Sequence, residues 1–171
     1  LNMSAIWDLP VVWIIENNLV GMGTRIEDSS GQTELHKRAE SYGMKDMGRV
    51  DGQDITATYS LFQEAVAYAR KTGPVLIEAL TYRYRGHGVS DKTYNKRFPD
   101  ELETWEARDP INLLTKQITS NFKNIEGELA KIEAMTQAQV DEATHFALNS
   151  PNPDYNDLIS HVYVGRDYRG F

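Results

Sequence analysis

Two largely apolar runs with an amphipathic helix between them constrain the fold of this chain more than any other feature. Residues 10–15 and 75–82 are rich in β-branched residues, as is typical of strands buried inside a parallel sheet. Residues 57–71 carry apolar side chains at helical spacing, and Gly73 and Pro74 follow. A strand, a helix and a second strand in this order predict a right-handed crossover. The fold class is therefore α/β, with a parallel sheet flanked by helices.

The helix between the two strands is expected to face the sheet with one apolar stripe. That stripe consists of Tyr59, Phe62, Ala65, Val66 and Ala69. The other elements predicted are a short helix at 33–42, a turn or short strand at 50–54, a loop at 83–99, a helix starting at Asp109-Pro110 and a helix at 125–148.

Composition excludes several classes of protein. The 171 residues suffice for one domain with a real core. A net charge of −7 disfavours a general nucleic-acid binder, and the lack of cysteine excludes disulfide scaffolds and thiolate metal sites. The longest nearly apolar run, residues 9–15, is far shorter than the roughly 20 residues of a membrane-spanning helix. The chain begins at Leu1 in the middle of a pattern, so we expect it to be part of a longer protein.

The first candidate site is the Glu16-Asn17-Asn18 segment at the carboxyl end of the first strand. Ligands of open α/β sheets bind outside the carboxyl ends of strands. An asparagine amide oxygen and a backbone carbonyl, such as that of Val20, are hard ligands that suit Mg²⁺ or Ca²⁺. The alternative is a plain turn, because asparagine readily hydrogen-bonds to its own backbone.

The second candidate site directly follows the second strand. Arg83, Arg85 and His87 lie there among glycines and could bind phosphate oxygens. The alternation of tyrosine and arginine from residue 82 to 85 equally fits a strand that continues past the sheet, with the tyrosines inward. Asp51-Gly52 is interpreted as a turn and His36 as a surface or packed histidine.

Several short motifs occur in a fixed order along the chain, and their combination is far more specific than any one of them. They are residues 9–10, 16–18, 21–24, 50–54, 73–78, 81–87, 90–91 and 108–111. In this combination the chain resembles the alpha subunits of the thiamine-diphosphate-dependent pyruvate dehydrogenase component, in the form built from separate alpha and beta chains. The resemblance covers nearly the whole chain, as a C-terminal portion of such a subunit.

The resemblance implies a thiamine diphosphate and Mg²⁺ site. Asn18 would bind Mg²⁺ through its side-chain oxygen and Val20 through its backbone carbonyl, and Gly21 would lie against the cofactor. The family's third protein ligand, the aspartate of a Gly-Asp-Gly motif, would precede Leu1. His87 would reach the cofactor diphosphate near the substrate channel, as the catalytic residue of this chain, and Arg83 would support it.

The reaction implied is decarboxylation of pyruvate, followed by transfer of the acetyl group to a lipoyl domain of the acyltransferase component. The implied partner is a beta subunit, in an alpha2beta2 heterotetramer, and neither nucleic acid nor membrane is expected as a partner. The alternatives are an acetoin or branched-chain 2-oxo acid dehydrogenase alpha subunit, or a non-catalytic partner-binding fragment. An asparagine and a carbonyl alone hold a metal weakly, so we expect residues 1–171 alone to be inactive.

On this resemblance, residues 1–108 form the C-terminal part of the cofactor-binding α/β domain and residues 109–171 a helical extension of it. The chain departs from the family at Gly88, where eukaryotic members carry a regulatory serine, and at Lys92 and Asn95. The absence of that serine favours a bacterial cytoplasm, with the mitochondrial matrix as the alternative location.

Overall fold

The computed structural model describes residues 1–88, 90–91 and 99–160. The strands are β1 (Val12–Asn17), β2 (Val20–Gly21), β3 (Thr24–Arg25), β4 (Lys45–Asp51) and β5 (Val75–Leu80). The helices are α1 (Asn2–Ile6), α2 (Ile26–Ser29), α3 (Ile55–Lys71), α4 (Pro99–Glu106), α5 (Pro110–Asn121), α6 (Glu126–Asn149) and α7 (Tyr155–Ser160), with a 3-10 helix at Leu35–Tyr42. One compact unit extends from Leu1 to Asn121, and a second begins at Phe122. The predicted division at residue 108 stays a prediction.

The central sheet is parallel, as the sequence predicts. Strand β5 lies in the middle, with β1 on one side and β4 on the other. The two predicted strands, β1 and β5, do pair in parallel, but the strand that α3 connects directly to β5 is β4, which lies between β1 and α3 in the chain. Asn17 at the end of β1 and Asp51 at the end of β4 both pair with Leu80 at the end of β5. The segments that follow the three strands therefore leave the sheet at the same edge.

Strand β5 is buried, but the same prediction for β1 is wrong. Val75, Leu76 and Ile77 are almost completely buried, whereas Trp13 and Ile14 are 37% and 46% exposed. Among the described residues, β1 pairs with β5 only, so it forms the border of the sheet. The indole N–H of Trp13 donates to the Ser4 hydroxyl at 2.9 Å, which ties this border to α1.

Helix α3 is confirmed, although it buries a narrower face than predicted. It begins after Asp54, whose carboxylate accepts a hydrogen bond from the Ala57 N–H at 2.9 Å, the usual role of an N-cap aspartate. Ala65 and Ala69 are buried against the sheet, and the partly buried Phe62 packs beside them. Tyr59 is 64% exposed, because a helix that lies on a sheet covers only the side chains directly beneath it.

The segment at 50–54 proves to be the end of a strand followed by a turn. The N–H of Gly52 donates to the carbonyl of Leu80 at 2.7 Å. A Cβ atom at Gly52 would lie 2.8 Å from that same oxygen, so only glycine fits this close approach. The helix predicted at 33–42 is a 3-10 helix, and α4, which the sequence did not predict, begins at Pro99, the last residue of the predicted loop.

The second unit consists of α6 and α7 as far as the structure describes it. Helix α6 confirms the helix predicted at 125–148, but Ile132 and Val140 on its predicted apolar stripe are more than half exposed. No helix in the described part of the chain is long and apolar enough to cross a membrane. The departures at Lys92 and Asn95 lie outside the described residues.

Candidate functional site

The carboxyl ends of β1 and β5 border a cleft of about 520 Å³. Glu16 and Asn18 line it from the β1 side, and Thr81 and Arg83 line it from the β5 side. The structure therefore brings together two residues, Asn18 and Arg83, that the sequence assigns to different candidate motifs. This is the edge of a parallel sheet at which ligands commonly bind.

The two adjacent asparagines have different environments. Asn17 is 5% exposed; its amide Nδ2 donates to Oε1 of Glu78 at 2.6 Å, and its Oδ1 accepts from the Leu19 N–H at 3.0 Å. Asn18 is half-buried at the cleft, and within the described part of the chain its side chain forms no hydrogen bond. Asn17 is therefore committed to the structure, whereas the Asn18 amide oxygen is available to a ligand.

The backbone after Asn18 is strained. Leu19 and Met22 have φ angles of 67° and 55°, in the left-handed region that costs a non-glycine residue about 1 kcal/mol or more. Such strain clusters at ligand-binding sites. At Gly21 no heavy atom lies within 4 Å of the position of a Cβ, so this part of the turn is open to a ligand.

The side chain of Val20 packs into a small apolar cluster behind the turn. Val20 and Tyr82 are buried there, and the ring of Tyr82 stacks on Trp105 of α4 with centroids 5.5 Å apart and planes 8° from parallel. Tyr84 also packs against this cluster. Because the Val20 side chain faces the cluster, any contact of Val20 with a metal would be made by its backbone carbonyl.

His87 lies beside the glycine turn rather than in the sheet. It lines a second cleft, of about 420 Å³, with Met22 and Gly23, while its backbone N–H donates to the Asp91 carboxylate at 3.4 Å. The His87 side chain is exposed. The fold thus places the predicted phosphate-binding histidine against the predicted glycine-rich loop.

The structure tests one of the two interpretations of the tyrosine and arginine alternation, the strand that continues past the sheet. Strand β5 ends at Leu80, so the alternating residues do not continue it. Tyr82 and Tyr84 nevertheless point inward, as that interpretation expects. Arg83 lines the same cleft as Asn18, and its Nε donates to the Arg85 carbonyl at 3.0 Å, which restrains the side chain.

Sequence reasoning missed Glu78, a completely buried carboxylate on the central strand. Burial alone would raise the pKa of Glu78, but hydrogen bonds from Asn17, from Arg49 and from the backbone of His36 outweigh it and hold the pKa below its usual value. The available signal was a single acidic residue in the middle of an otherwise apolar strand. His36 itself is packed, with Nδ1 2.8 Å from an oxygen of Asp46.

A second group of contacts joins motifs that are distant in the sequence. Gln53 is buried; its Nε2 donates to the Arg108 carbonyl at 3.2 Å, and its Oε1 accepts from the Thr81 hydroxyl at 2.9 Å. The Arg108 guanidinium forms an ion pair with Asp51. The turn after β4, the segment after β5 and the start of α5 therefore form one structural unit at the edge of the sheet.

The donor set of this edge suits a hard divalent cation only in part. The Asn18 amide and the Val20 carbonyl supply two oxygens of the kind that Mg²⁺ prefers. The described residues contain no group of three or more histidine, aspartate or glutamate side chains that could hold a metal by themselves. The site on this chain thus fits part of a metal and diphosphate site.

The chain belongs to the dehydrogenase E1 component family, whose sequence profile matches residues 1–156. It is 40% identical over 163 residues to the pyruvate dehydrogenase E1 component subunit alpha of Rickettsia felis, covering 95% of this chain and 49% of that protein. The Porphyra purpurea protein of the same name is 38% identical over 165 residues, covering 96% of this chain and 47% of that protein.

A mitochondrial relative is also similar. The testis-specific form of the same subunit from Rattus norvegicus is 39% identical over 165 residues, covering 95% of this chain and 41% of that protein. The chain spans about half the length of the relatives that it matches. The family resemblance drawn from the sequence motifs is confirmed.

Proposed function

We propose that this chain is part of the alpha subunit of a 2-oxo acid dehydrogenase component that uses thiamine diphosphate and Mg²⁺ to decarboxylate pyruvate. The relatives that carry the name pyruvate dehydrogenase E1 component subunit alpha support the assignment. The observation that carries it is the Asn18 amide, which forms no hydrogen bond with the described residues and lies at the carboxyl edge of the sheet, beside a strained turn.

In this proposal Asn18 and Val20 hold Mg²⁺ through the amide oxygen and the backbone carbonyl. A third protein ligand is the aspartate that the family resemblance places before Leu1. The open backbone at Gly21 allows the diphosphate to approach closely. When bound, thiamine diphosphate supplies the electron sink for decarboxylation.

His87 and Arg83 act on the anionic part of the same site. The exposed imidazole of His87 donates a hydrogen bond to a diphosphate oxygen, and Arg83 contributes positive charge from the cleft wall. Both groups orient the cofactor and neutralise its charge. His87 lies on the solvent side, where a substrate would enter.

The proposed partners are a beta subunit, in an alpha2beta2 heterotetramer, and the lipoyl domain of an acyltransferase component that accepts the acetyl group. The names of the relatives include bacterial and mitochondrial forms. With glycine at position 88, a bacterial cytoplasm is the proposed location.

The proposal is tested with the full-length subunit assembled with its beta partner, by comparing pyruvate, acetoin and 3-methyl-2-oxobutanoate as substrates. We expect pyruvate to give the highest kcat/KM and turnover to require both thiamine diphosphate and Mg²⁺. A preference for acetoin or for the branched acid would reassign the substrate. Failure of the assembled protein to bind the cofactor would favour a non-catalytic subunit.

We expect His87→Ala in the assembled enzyme to raise the KM for thiamine diphosphate roughly tenfold or more, since a hydrogen bond to a charged group contributes about 1.5–3 kcal/mol. The melting temperature should not change, because the imidazole is exposed. Titration of activity with cofactor and a thermal melt measure the two effects. His145→Ala, at an exposed histidine of α6, is the matched control. An unchanged cofactor KM in His87→Ala would contradict the assigned role.

A further inference from the structure

One buried carboxylate holds both ends of the segment that contains the candidate metal ligands. The segment leaves the sheet at Asn17 and returns at His36, in the first turn of the 3-10 helix. The Asn17 amide donates to Oε1 of Glu78 at 2.6 Å, and the backbone N–H of His36 donates to Oε2 at 3.1 Å. The two ends are therefore joined through the two oxygens of a single side chain.

Arg49 of β4 adds a third connection to the same segment. Its Nη2 donates to Oε1 of Glu78 at 2.9 Å and to the backbone carbonyl of Thr33 at 2.8 Å. The guanidinium balances the charge of the buried carboxylate, and it also reaches the returning part of the segment. Glu78 and Arg49 thus connect both ends of residues 17–36 to the central sheet.

The segment between these connections contains little regular secondary structure. Its regular elements are the two-residue strands β2 and β3 and the four-residue helix α2. Its backbone is also strained at Leu19 and Met22. Strained backbone persists only where the surrounding structure over-determines it, and the contacts of Glu78 supply such a restraint.

We propose that Glu78 is a positioning residue of the cofactor site. By joining the two ends of the 17–36 segment, Glu78 fixes the direction in which Asn18 and Val20 present their oxygens. This inference rests on the proposed function. A carboxylate is required because both of its oxygens accept hydrogen bonds. Glutamine would place an NH₂ group against either the Asn17 amide or the His36 N–H, so one end of the segment would be released.

The test uses the full-length subunit assembled with its partner and carrying Glu78→Gln or Glu78→Leu. We expect Glu78→Gln to raise the KM values for thiamine diphosphate and Mg²⁺ at least tenfold, while kcat at saturating cofactor stays within about threefold of wild type. Hydrogen exchange measured without cofactor should accelerate within residues 18–34. Glu78→Leu should move both readouts further in the same direction, and Glu78→Gln decides the matter if the leucine variant does not fold.

Ile77→Ala is the matched control, because Ile77 is equally buried on the same strand and takes no part in these hydrogen bonds. It should lower the melting temperature but leave both KM values within twofold of wild type. Equal effects of Ile77→Ala and Glu78→Gln on the KM values would overturn the positioning role, as would unchanged hydrogen exchange at residues 18–34 in Glu78→Gln. If the wild-type protein bound no cofactor, the proposed function would fail. The exchange experiment needs no cofactor, so it would still test whether Glu78 restrains the segment.

Discussion

Replacing Asn18 with alanine is expected to weaken binding of Mg²⁺ and thiamine diphosphate by the assembled subunit on the order of 100-fold, without lowering its melting temperature. The magnitude follows because even outer-shell partners of a metal contribute 10–100-fold to affinity, and a direct ligand contributes at least as much. The melting temperature should hold because the Asn18 side chain forms no hydrogen bond with the described residues. Calorimetric titration and a thermal melt of the cofactor-free protein measure the two quantities.

The neighbouring asparagine provides the matched control, since the same substitution there should lower stability. Asn17→Ala removes a buried donor from Glu78 and an acceptor from the Leu19 N–H. Loss of such hydrogen bonds costs about 1–3 kcal/mol of the free energy of unfolding, and denaturant titration would show it. If Asn17→Ala unfolded like wild type, or if Asn18→Ala bound the cofactor normally, the division of roles between the two asparagines would be wrong.

That division marks a limit of what the sequence can predict. The motif places both asparagines at the end of a strand, and period-two alternation indicates that they point to opposite sides. Which of the two asparagines is held inside the protein depends on Glu78, which accepts a hydrogen bond from Asn17 and lies sixty-one positions further along the chain. The contact is made because β1 and β5 are neighbours in the sheet, and strand order is not contained in local periodicity.

Strand β5 and helix α3 were predictable because burial on a sheet leaves a direct pattern in the sequence. Strand β4 was harder to recognise, since Lys45, Asp46 and Arg49 break its apolar pattern. Position 49 carries an arginine rather than an apolar residue because its guanidinium forms an ion pair with Glu78 on the neighbouring strand. One of the polar residues that obscure the strand, Arg49, is thus part of the network that supports the candidate site.

Helix α4 was also difficult to recognise, and its contacts give the second large effect expected for the 17–36 segment. Its acidic first turn and short length leave Leu102 and Trp105 as its main apolar contacts with the cluster behind Val20. Two such contacts within eight residues are too few to establish a helical period. Trp105 stacks on Tyr82, and the guanidinium of Arg108 lies 5.4 Å from the centre of its ring.

Trp105→Ala is therefore expected to lower the free energy of unfolding by about 2–3 kcal/mol, somewhat less than a fully buried tryptophan would cost because Trp105 is only partly buried. Denaturant titration of the full-length subunit, followed by far-ultraviolet circular dichroism, gives the value. Trp105→Phe keeps an aromatic ring against Tyr82 and should recover more than half of the loss. The alanine variant should also weaken cofactor binding several-fold, because the cluster supports the backbone that carries the Val20 carbonyl. An alanine variant as stable as wild type would show that the stacked pair does not hold α4 against the loop.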